Sequence, residues 1–469
     1  MRRRGLWLGV LIGLVIGLGA RAVPVRSNSE APDALVQQFF KPVAWLIQKI
    51  DENYVEEADR QKLLVGAYQG MLSSLDRYCA YWPAETVQEF EADLEGQFGG
   101  LGIVIAWDAV NKVIRVEQTI AGTPAAKHGV LADDVIVQAK EESTGEVTKT
   151  EDFRSVHDAV KVLRGAPGTK VTITVFHGEG GAKEDMTLTR ELIKIPGVRA
   201  VEMIDPERKI GYIYIPYFSK NMVDHLKKAI RDLEGQGTKG LILDLRLNPG
   251  GLLEVAEDCA NLFMRGGVIV SVKDREGVEK VYEAPRTAPF PDVPLVLLVD
   301  RFSASGAEIV AAALRDNGRA KLVGESSFGK ASVQKIIENP TIPGTAIKLT
   351  VARYYTPKGQ LIEGKGVSPD VEVKLSEDET RKLARELSMK TEYPPISPER
   401  AAAIEKRAAE REKGSAKPAE AANPEEKKEE PFKDVQLARA VEVMAQMLGE
   451  KATAPAGAEA AAAAPAALK

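Results

Sequence analysis

Two residues of this chain have the types and the spacing that a serine nucleophile with a lysine base would need. Ser305 follows an apolar run, residues 294–299, that predicts a buried strand, and it precedes a helical pattern at residues 308–317. A serine at a strand-to-helix turn exposes its hydroxyl and faces the backbone N–H groups of the helix. Lys330 comes later, on a glycine turn. The simpler interpretations are a helix cap for Ser305 and an exposed surface lysine for Lys330.

Histidine is the usual base for a catalytic serine, and none of the histidines lies near Ser305 in the sequence. A Gly-x-Ser-x-Gly elbow is also absent, because Ser303 stands two residues before Ser305. Both observations weaken a Ser-His-Asp interpretation without eliminating it, since residues distant in sequence can meet in space. The histidines are His128, His157, His177 and His225.

Lysine can act as the base only when its amine is neutral. From an unperturbed pKa of about 10.4, lowering the pKa to about 7–8 costs the ammonium roughly 3–5 kcal/mol of solvation. Burial of Lys330 against Phe328 and Val333, with no carboxylate nearby, would have this effect. The amide of Gln334, four residues after the lysine, could orient the amine without supplying a charge.

Residues 324–330 also fit the spacing of a phosphate-binding loop, Gly-x-x-x-x-Gly-Lys. That loop needs Ser or Thr after the lysine to bind magnesium, and this chain has Ala331 there. The residues that follow are β-branched and approach Pro340, so they do not predict the required helix. We therefore expect no nucleotide and no metal at this site.

The surrounding region alternates strands and helices, which predicts β-α units and a largely parallel sheet. After the strand at residues 241–246, the turn 248–251 contains two glycines and leads into a helix, a combination suited to binding an anion. The predicted strands are 209–218, 241–246, 294–299, 320–323 and 347–355, and the predicted helices are 221–235, 252–264 and 308–317.

Residues 96–190 form a separate β-rich module that resembles PDZ domains. Its Gly-Leu-Gly-Ile loop matches the loop with which those domains bind a carboxylate, because successive glycines let N–H groups converge while the strand edge accepts a peptide. The resemblance implies capture of a peptide C-terminus by Gly100, Leu101, Gly102 and Ile103, with Arg164 as the nearest cation.

The ends of the chain differ from this middle region. Three arginines and an apolar stretch at residues 5–20, followed by Ala20-Arg21-Ala22, predict export. Cleavage after Ala22 is favoured over a retained membrane anchor, and both remain open. Amphipathic helices are predicted at residues 33–53, 59–75 and 435–448. The charged segment 380–432 predicts a helical or disordered linker, and the Ala-rich tail predicts disorder.

The charge and the cysteine content of the chain bear on which functions are expected. With 63 basic and 68 acidic residues among 469, the net charge of −5 gives no reason to expect nucleic-acid binding. The two cysteines, Cys79 and Cys259, have apolar surroundings in the sequence, which favours two buried thiols over a disulfide.

Taken together, residues 34–373 resemble the carboxy-terminal processing peptidases, also called tail-specific proteases. The resemblance implies Ser305 as nucleophile, Lys330 as general base, Gln334 as its orienting partner, and the N–H groups of Gly251 and Gly306 as the oxyanion hole. Preorganised donors of that kind are worth about 3–4 kcal/mol each in the barrier. The matching segments are 70–76, 244–251, 303–308, 329–334 and 354–359 and the PDZ-like module.

The sequence therefore predicts an exported α/β multidomain serine endopeptidase of the periplasm or cell envelope, with a ClpP/crotonase-like core and an inserted PDZ domain. The expected substrates are proteins with unstructured C-termini. The terminal helices suggest a dimer or higher homo-oligomer, or docking of a regulatory adaptor protein. A catalytically idle PDZ adaptor is the alternative. The expected segments are 1–22 (export), 23–95 (helical), 96–190 (PDZ), 191–378 (catalytic), 379–432 (linker), 433–448 (helix) and 449–469 (tail).

Overall fold

The computed structural model describes residues 38, 40–108, 111–120, 122–153, 155–177, 182–389 and 432–449. They fall into two compact units. One comprises the chain up to Glu91 together with residues 274–276 and 332–352, and the other comprises the rest. The predicted export segment, most of the predicted linker and the Ala-rich tail lie outside the described residues.

Helices and strands occur along the whole described chain. The first part contains α1 (Lys41–Asn53), α2 (Arg60–Ser73), β1 (Ala80–Trp82), α3 (Ala84–Glu95), β2 (Gln97–Gly100), β3 (Ile103–Asp108), β4 (Val113–Thr119), α4 (Pro124–Lys127), β5 (Val135–Glu141), β6 (Val147–Lys149), α5 (Val156–Leu163), β7 (Lys170–Phe176), β8 (Lys183–Thr189) and β9 (Glu191–Lys194). The second part contains β10 (Arg199–Asp205), β11 (Ile210–Tyr214), α6 (Met222–Glu234), β12 (Gly240–Asp244), α7 (Leu253–Asn261), β13 (Val268–Asp274), β14 (Glu279–Glu283), β15 (Leu295–Val299), α8 (Gly306–Asp316), β16 (Lys321–Gly324), β17 (Ser332–Glu338), β18 (Ala346–Tyr355), β19 (Val371–Glu372), α9 (Glu377–Met389) and α10 (Val435–Met447).

The larger unit contains the α/β region that the strand–helix alternation predicts. Its sheet has the order β10-β11-β12-β15-β16-β19, in which β11 to β19 are parallel and β10 is an antiparallel edge strand. Strands β11, β12 and β15 are buried along their whole length. Continuous apolar strands of this kind need cover on both faces, so the largely parallel sheet expected from the sequence is confirmed.

The last helix of the described chain belongs to this sheet. Helix α10 packs on β12, β15 and β16, and Ala440 and Met444 are fully buried in the same cluster as Ile242 and Val296. Helix α9 adds Leu383 to that cluster, although the linker was expected to begin at residue 379. The sequence did not indicate this contact, because α9 is mostly charged. A few apolar side chains on one face are enough for a helix to pack on a sheet.

The β-rich module in the same unit is an antiparallel sheet of order β3-β4-β5-β7-β8, with β6 paired to β5. Helix α5 packs against β3 and β5. The chain enters and leaves the module through the antiparallel pair β2 and β9. A buried cluster that includes Val116, Ala159 and Ile173 forms the core of the module.

The smaller unit is helical with a short sheet. Strand β1 pairs with the start of β18 in antiparallel register, and β17 also pairs with β18. Tyr68 of α2 stacks on Tyr81 of β1 with the ring centroids 5.1 Å apart. Helix α1 has no buried residue, and its Trp45 is 60% exposed.

Both cysteines are buried free thiols, as the sequence predicts. Among the described residues, no helix combines the length and the apolar character that crossing a membrane requires.

Candidate active site

Three loops meet at one edge of the parallel sheet. Neighbouring strands β12, β15 and β16 run in the same direction, so the segments that follow them emerge side by side. The turn with Gly250 and Gly251 follows β12, Ser305 follows β15, and Lys330 follows β16. The strand order therefore brings together three segments that are far apart in the sequence.

Ser305 begins α8 in a backbone conformation that few residues other than glycine adopt. Its φ is 53° and its ψ is −113°, and only 6% of the residue is exposed. The loop before it is tied down by Asp300, whose Oδ1 accepts the N–H groups of Leu247 and Ser303 at 3.0 Å and 2.9 Å. Strain of this kind persists only where the surroundings enforce it, and it concentrates at functional sites.

The glycine turn after β12 lies directly against Ser305. A Cβ at Gly250 would be 2.7 Å from the Cβ of Ser305, and one at Gly251 would be 2.4 Å from the carbonyl oxygen of Phe218. With φ values of 103° and 147°, both positions also require glycine for conformational reasons. The turn is held by Asn248, whose Oδ1 accepts the N–H of Gly250 at 2.7 Å.

The backbone N–H groups of Gly251 and Gly306 lie close together. A Cβ built on Gly306 would be 3.6 Å from the nitrogen of Gly251. Neither N–H has a hydrogen-bond acceptor among the described residues. Two such donors at the start of a helix are available for a negatively charged oxygen.

Glu308 joins the segments around Ser305 and Lys330, and the sequence reasoning did not assign it a role. Its Oε2 accepts the N–H of Ser305 at 2.8 Å and the N–H of Lys330 at 2.9 Å. Its Oε1 accepts the Ser327 hydroxyl at 2.5 Å and the Gly329 N–H at 2.7 Å. The side chain is fully buried, and that burial raises the pKa of Glu308 against the opposing effect of these hydrogen bonds.

One sequence signal could have found Glu308. A serine followed three residues later by glutamate, before an apolar helical pattern, is the signature of a capping box. Here the carboxylate bonds to the N–H of Ser305, as in such a box, and also reaches the loop of Lys330.

The backbone of Lys330 is held from two sides. Its N–H donates to Glu308, and its carbonyl oxygen accepts the hydroxyl of Tyr354, which also lies 3.3 Å from the carbonyl oxygen of Ser305. The carboxylate of Glu308 therefore contacts the backbone of Lys330, and the environment proposed for a neutral amine, with no carboxylate beside it, stays a prediction. The expected apolar enclosure is partial, since Phe328 is 43% exposed and Lys330 is only partly buried.

Gln334 belongs to the smaller compact unit, whereas Ser305, Lys330, Gly251 and Gly306 belong to the larger one. Within its own unit, the Nε2 of Gln334 donates to the hydroxyls of Ser332 at 2.8 Å and Thr350 at 3.3 Å. The residue is 7% exposed.

The histidine side chains that the structure describes are bonded in other places. His128 lies 2.8 Å from the carbonyl oxygen of Pro124, and His177 lies between Asp134 and Glu184. The Nδ1 of His225 accepts the N–H of Gly197 at 2.9 Å, and burial lowers the pKa of this imidazole.

The β-rich module contains a groove between β3 and α5, with a volume of about 80 Å³. Arg164, at the end of α5, has its guanidinium 4.2 Å from the centre of the Phe98 ring and 3.7 Å from Asp93. All five residues expected to bind a peptide end line this groove, namely Gly100, Leu101, Gly102, Ile103 and Arg164.

Comparison with known proteins identifies the family. A carboxy-terminal-processing protease of Bartonella bacilliformis is 37% identical over 335 residues, which are 70% of this chain and 73% of that protein. The sequence model of peptidase family S41 matches residues 209–373. The chain belongs to the S41 carboxy-terminal processing proteases. This S41 protease is therefore a serine-type peptidase, as the sequence predicts.

A second relative agrees with that assignment. The carboxy-terminal processing protease CtpA of Bacillus subtilis is 36% identical to this S41 protease over 330 residues, 70% of this chain and 67% of CtpA. Residues 22–86 match the model of the activating protease CtpB N-terminal domain. Among solved structures, a photosystem II D1 C-terminal processing protease is 28% identical, covers 73% of this chain and 91% of its own, and has a TM-score of 0.42.

Proposed function

We propose that this protein is an exported serine endopeptidase that cleaves with Ser305 as nucleophile and Lys330 as general base. The main support for this proposal is that the backbones of both residues are hydrogen-bonded to one buried carboxylate. Glu308 holds the N–H groups of Ser305 and Lys330 on a single oxygen. Such an arrangement keeps the two segments in a constant relation, which a nucleophile and its base need.

The chemistry begins with a proton transfer. The neutral amine of Lys330 takes the hydroxyl proton of Ser305 while Oγ forms a bond to the scissile carbonyl carbon. The carbonyl oxygen becomes negatively charged and is stabilised by the N–H groups of Gly251 and Gly306. The ammonium of Lys330 then protonates the leaving nitrogen, and the C–N bond breaks to leave an acyl-enzyme. A water molecule then gives a proton to Lys330 and forms a bond to the acyl carbon. The bond from that carbon to Oγ breaks, and the ammonium of Lys330 returns the proton to Oγ, which regenerates Ser305.

The expected role of Gln334 in orienting Lys330 stays a prediction from the family resemblance. The same holds for the ClpP/crotonase-like classification of the core, for export to the cell envelope, for membrane attachment and for self-association or an adaptor. Each of these proposals is separate from the catalytic one and can fail without affecting it.

Substrate capture is the second part of the proposal. We infer that the β-rich module is an inserted PDZ domain that binds the C-terminus of an unstructured protein. The loop glycines and the cation of Arg164, which line the groove, and the position of β3 at the edge of its sheet support this interpretation. When the module binds the C-terminus of a substrate protein, a peptide bond upstream of that terminus can reach Ser305.

Mass-spectrometric analysis of a disordered substrate with a free C-terminus tests the catalytic proposal. Ser305→Ala and Lys330→Ala should each reduce cleavage to background, whereas Lys321→Ala, which changes an exposed lysine of β16, should cleave normally. A fluorophosphonate probe should label the wild-type protein at Ser305 and should label Lys330→Ala far more slowly. Wild-type rates in either active-site variant, with correct folding shown by circular dichroism, would overturn the assignment.

A further inference from the structure

A cavity of about 300 Å³ lies beside the turn that touches Ser305. Its walls are mostly apolar and include Ile195, Pro216 and Pro249. Pro249 directly precedes Gly250, whose Cβ position is 2.7 Å from the Cβ of Ser305. The cavity therefore adjoins the place where a bond would be cleaved, and a substrate side chain next to that bond is within reach of it.

Arg199, the first residue of β10, contributes to the wall of this cavity. Among the residues that the structure describes, its side chain has no hydrogen-bond acceptor and no carboxylate partner, and its Nε is buried. Burial lowers the pKa of Arg199, although a guanidinium remains charged at neutral pH. The residue as a whole is only partly buried. A cation that is partly removed from water and has no anionic partner is unfavourable, and proteins normally supply an anion to such a group.

The other polar groups of the wall leave this charge uncompensated. Asp93 lies 3.7 Å from Arg164, which belongs to the β-rich module, and half of its side chain is exposed. The Ser219 hydroxyl donates to the Oδ1 of Asn221 at 2.8 Å. Burial, with Asp93 as a second cause, raises the pKa of Tyr217 to about 12, so its phenol is neutral and can donate a hydrogen bond.

We propose that this cavity is a specificity pocket for an acidic substrate side chain, with the substrate carboxylate bound to the guanidinium of Arg199. A planar guanidinium binds a carboxylate through two parallel hydrogen bonds, and the low polarity around it strengthens the pair. Glutamate suits the site best, because its two methylene groups can pack on the proline walls. The inference rests on the proposed function, since it assumes that Ser305 is the nucleophile.

The test compares matched substrates. Mass spectrometry first identifies a cleavage site in a disordered substrate with a free C-terminus. Glu and Gln are then placed in turn at each of the three positions on either side of the cleaved bond. At one of these positions the Glu substrate should be cleaved with a kcat/KM about 10-fold or more above that of its Gln counterpart, as expected for a charge-assisted pair.

Variants of Arg199 test whether this residue causes the preference for Glu over Gln in the substrate. The Glu-to-Gln ratio should fall close to one in Arg199→Gln and should be largely kept in Arg199→Lys. Thermal melting separates this role from a structural one. An unpaired, partly buried cation is unfavourable in the free enzyme, so Arg199→Gln should not lower the Tm, whereas a structural arginine would lower it.

The outcomes separate this inference from the catalytic proposal. Equal cleavage of Glu and Gln substrates at all six positions by an active wild-type enzyme would overturn the pocket and leave the catalytic proposal intact. A preference for Glu that survives in Arg199→Gln would also overturn it. Cleavage that persists in Ser305→Ala would instead contradict the catalytic proposal on which the pocket rests.

Discussion

The backbone N–H groups of Ser305 and Lys330 donate to the same oxygen, Oε2 of Glu308, at 2.8 Å and 2.9 Å. Their nitrogen atoms therefore cannot be farther apart than those two distances together. Ser305 lies after β15 and Lys330 after β16. The side chain of Glu308 therefore links the two segments that follow these neighbouring strands. Each half of the proposed dyad is therefore held through its backbone by the same carboxylate.

Replacing Glu308 by Gln should remove this connection while preserving the size of the side chain. A carboxylate accepts all four short hydrogen bonds, whereas an amide has one oxygen and would direct its NH₂ group at N–H donors. We expect the variant to lose about 2–4 kcal/mol of stability and at least about 100-fold in kcat. Urea denaturation and steady-state kinetics measure the two effects. Glu234→Gln, on the exposed face of α6, is the control, and a kcat within twofold of wild type for Glu308→Gln would show that Glu308 does not position the site.

Gly250→Ala should disturb the nucleophile directly, because the added Cβ would lie 2.7 Å from that of Ser305. Gly237→Ala is a matched control, since Gly237 has a similar φ of 85° but no atom within 4 Å of the Cβ position. The control should lose about 1 kcal/mol of stability from backbone strain and keep its activity. Gly250→Ala should in addition lose about 100-fold or more in kcat. Equal activities in the two variants would contradict a close fit between this turn and Ser305.

The groove of the β-rich module should distinguish a free C-terminus from a blocked one. A fluorescent peptide with a free carboxylate should bind the Ser305→Ala variant about 10-fold or more tightly than the same peptide with a C-terminal amide, because the loop N–H groups and Arg164 both favour the anion. Fluorescence anisotropy measures both affinities. Arg164→Ala should reduce the ratio, while Lys170→Ala, at the exposed start of β7, should not. Equal affinities for the acid and the amide would exclude recognition of the chain end.

The docking of α10 should depend on a buried ion network. The guanidinium of Arg246 is fully buried and lies 2.6 Å from Asp244 and 2.7 Å from Asp434, the residue that caps α10. Asp434→Asn leaves that buried charge with one carboxylate partner fewer, so we expect a loss of about 3 kcal/mol in urea denaturation. Glu442→Gln, which breaks a pair with Arg439 at the surface of the same helix, should cost less than about 1 kcal/mol. Similar losses in both variants would argue against a special role for the buried pair.

Cys259 should be unreactive until the protein unfolds. Burial, with Asp258 as a smaller cause, raises the pKa of Cys259 to about 12. Only the thiolate reacts with disulfide reagents, and at pH 8 its fraction would be about 10⁻⁴, against roughly a quarter for an ordinary thiol. In a Cys79→Ser variant, labelling with Ellman's reagent should be slow in buffer and rapid in urea. Rapid stoichiometric labelling of the native variant would show that Cys259 is accessible.

Local patterns were sufficient to predict most of the fold. The apolar runs at β12 and β15 and the periodicity of α6 and α8 appear in the sequence because each element needs a continuous or one-sided apolar surface. Ser305 could be placed at a strand-to-helix turn for the same reason, and Ala331 was enough to argue against a phosphate loop. The interpretation of α9 as linker differed from the structure because its apolar residues are few.

The order of amino acids specifies the helices, strands and turns and, through several short motifs together, the family. Which turns meet depends on how the chain packs in three dimensions. The parallel order of β12, β15 and β16 brings the glycine turn, Ser305 and the loop of Lys330 to one edge, and no local pattern specifies a strand order. The same holds for Glu308 beside the backbone of Lys330 and for Arg246 beside Asp434, a pair 188 residues apart in the chain. Such contacts depend on the packing of distant segments, since burial makes an unpaired charge costly only after the chain has folded around it.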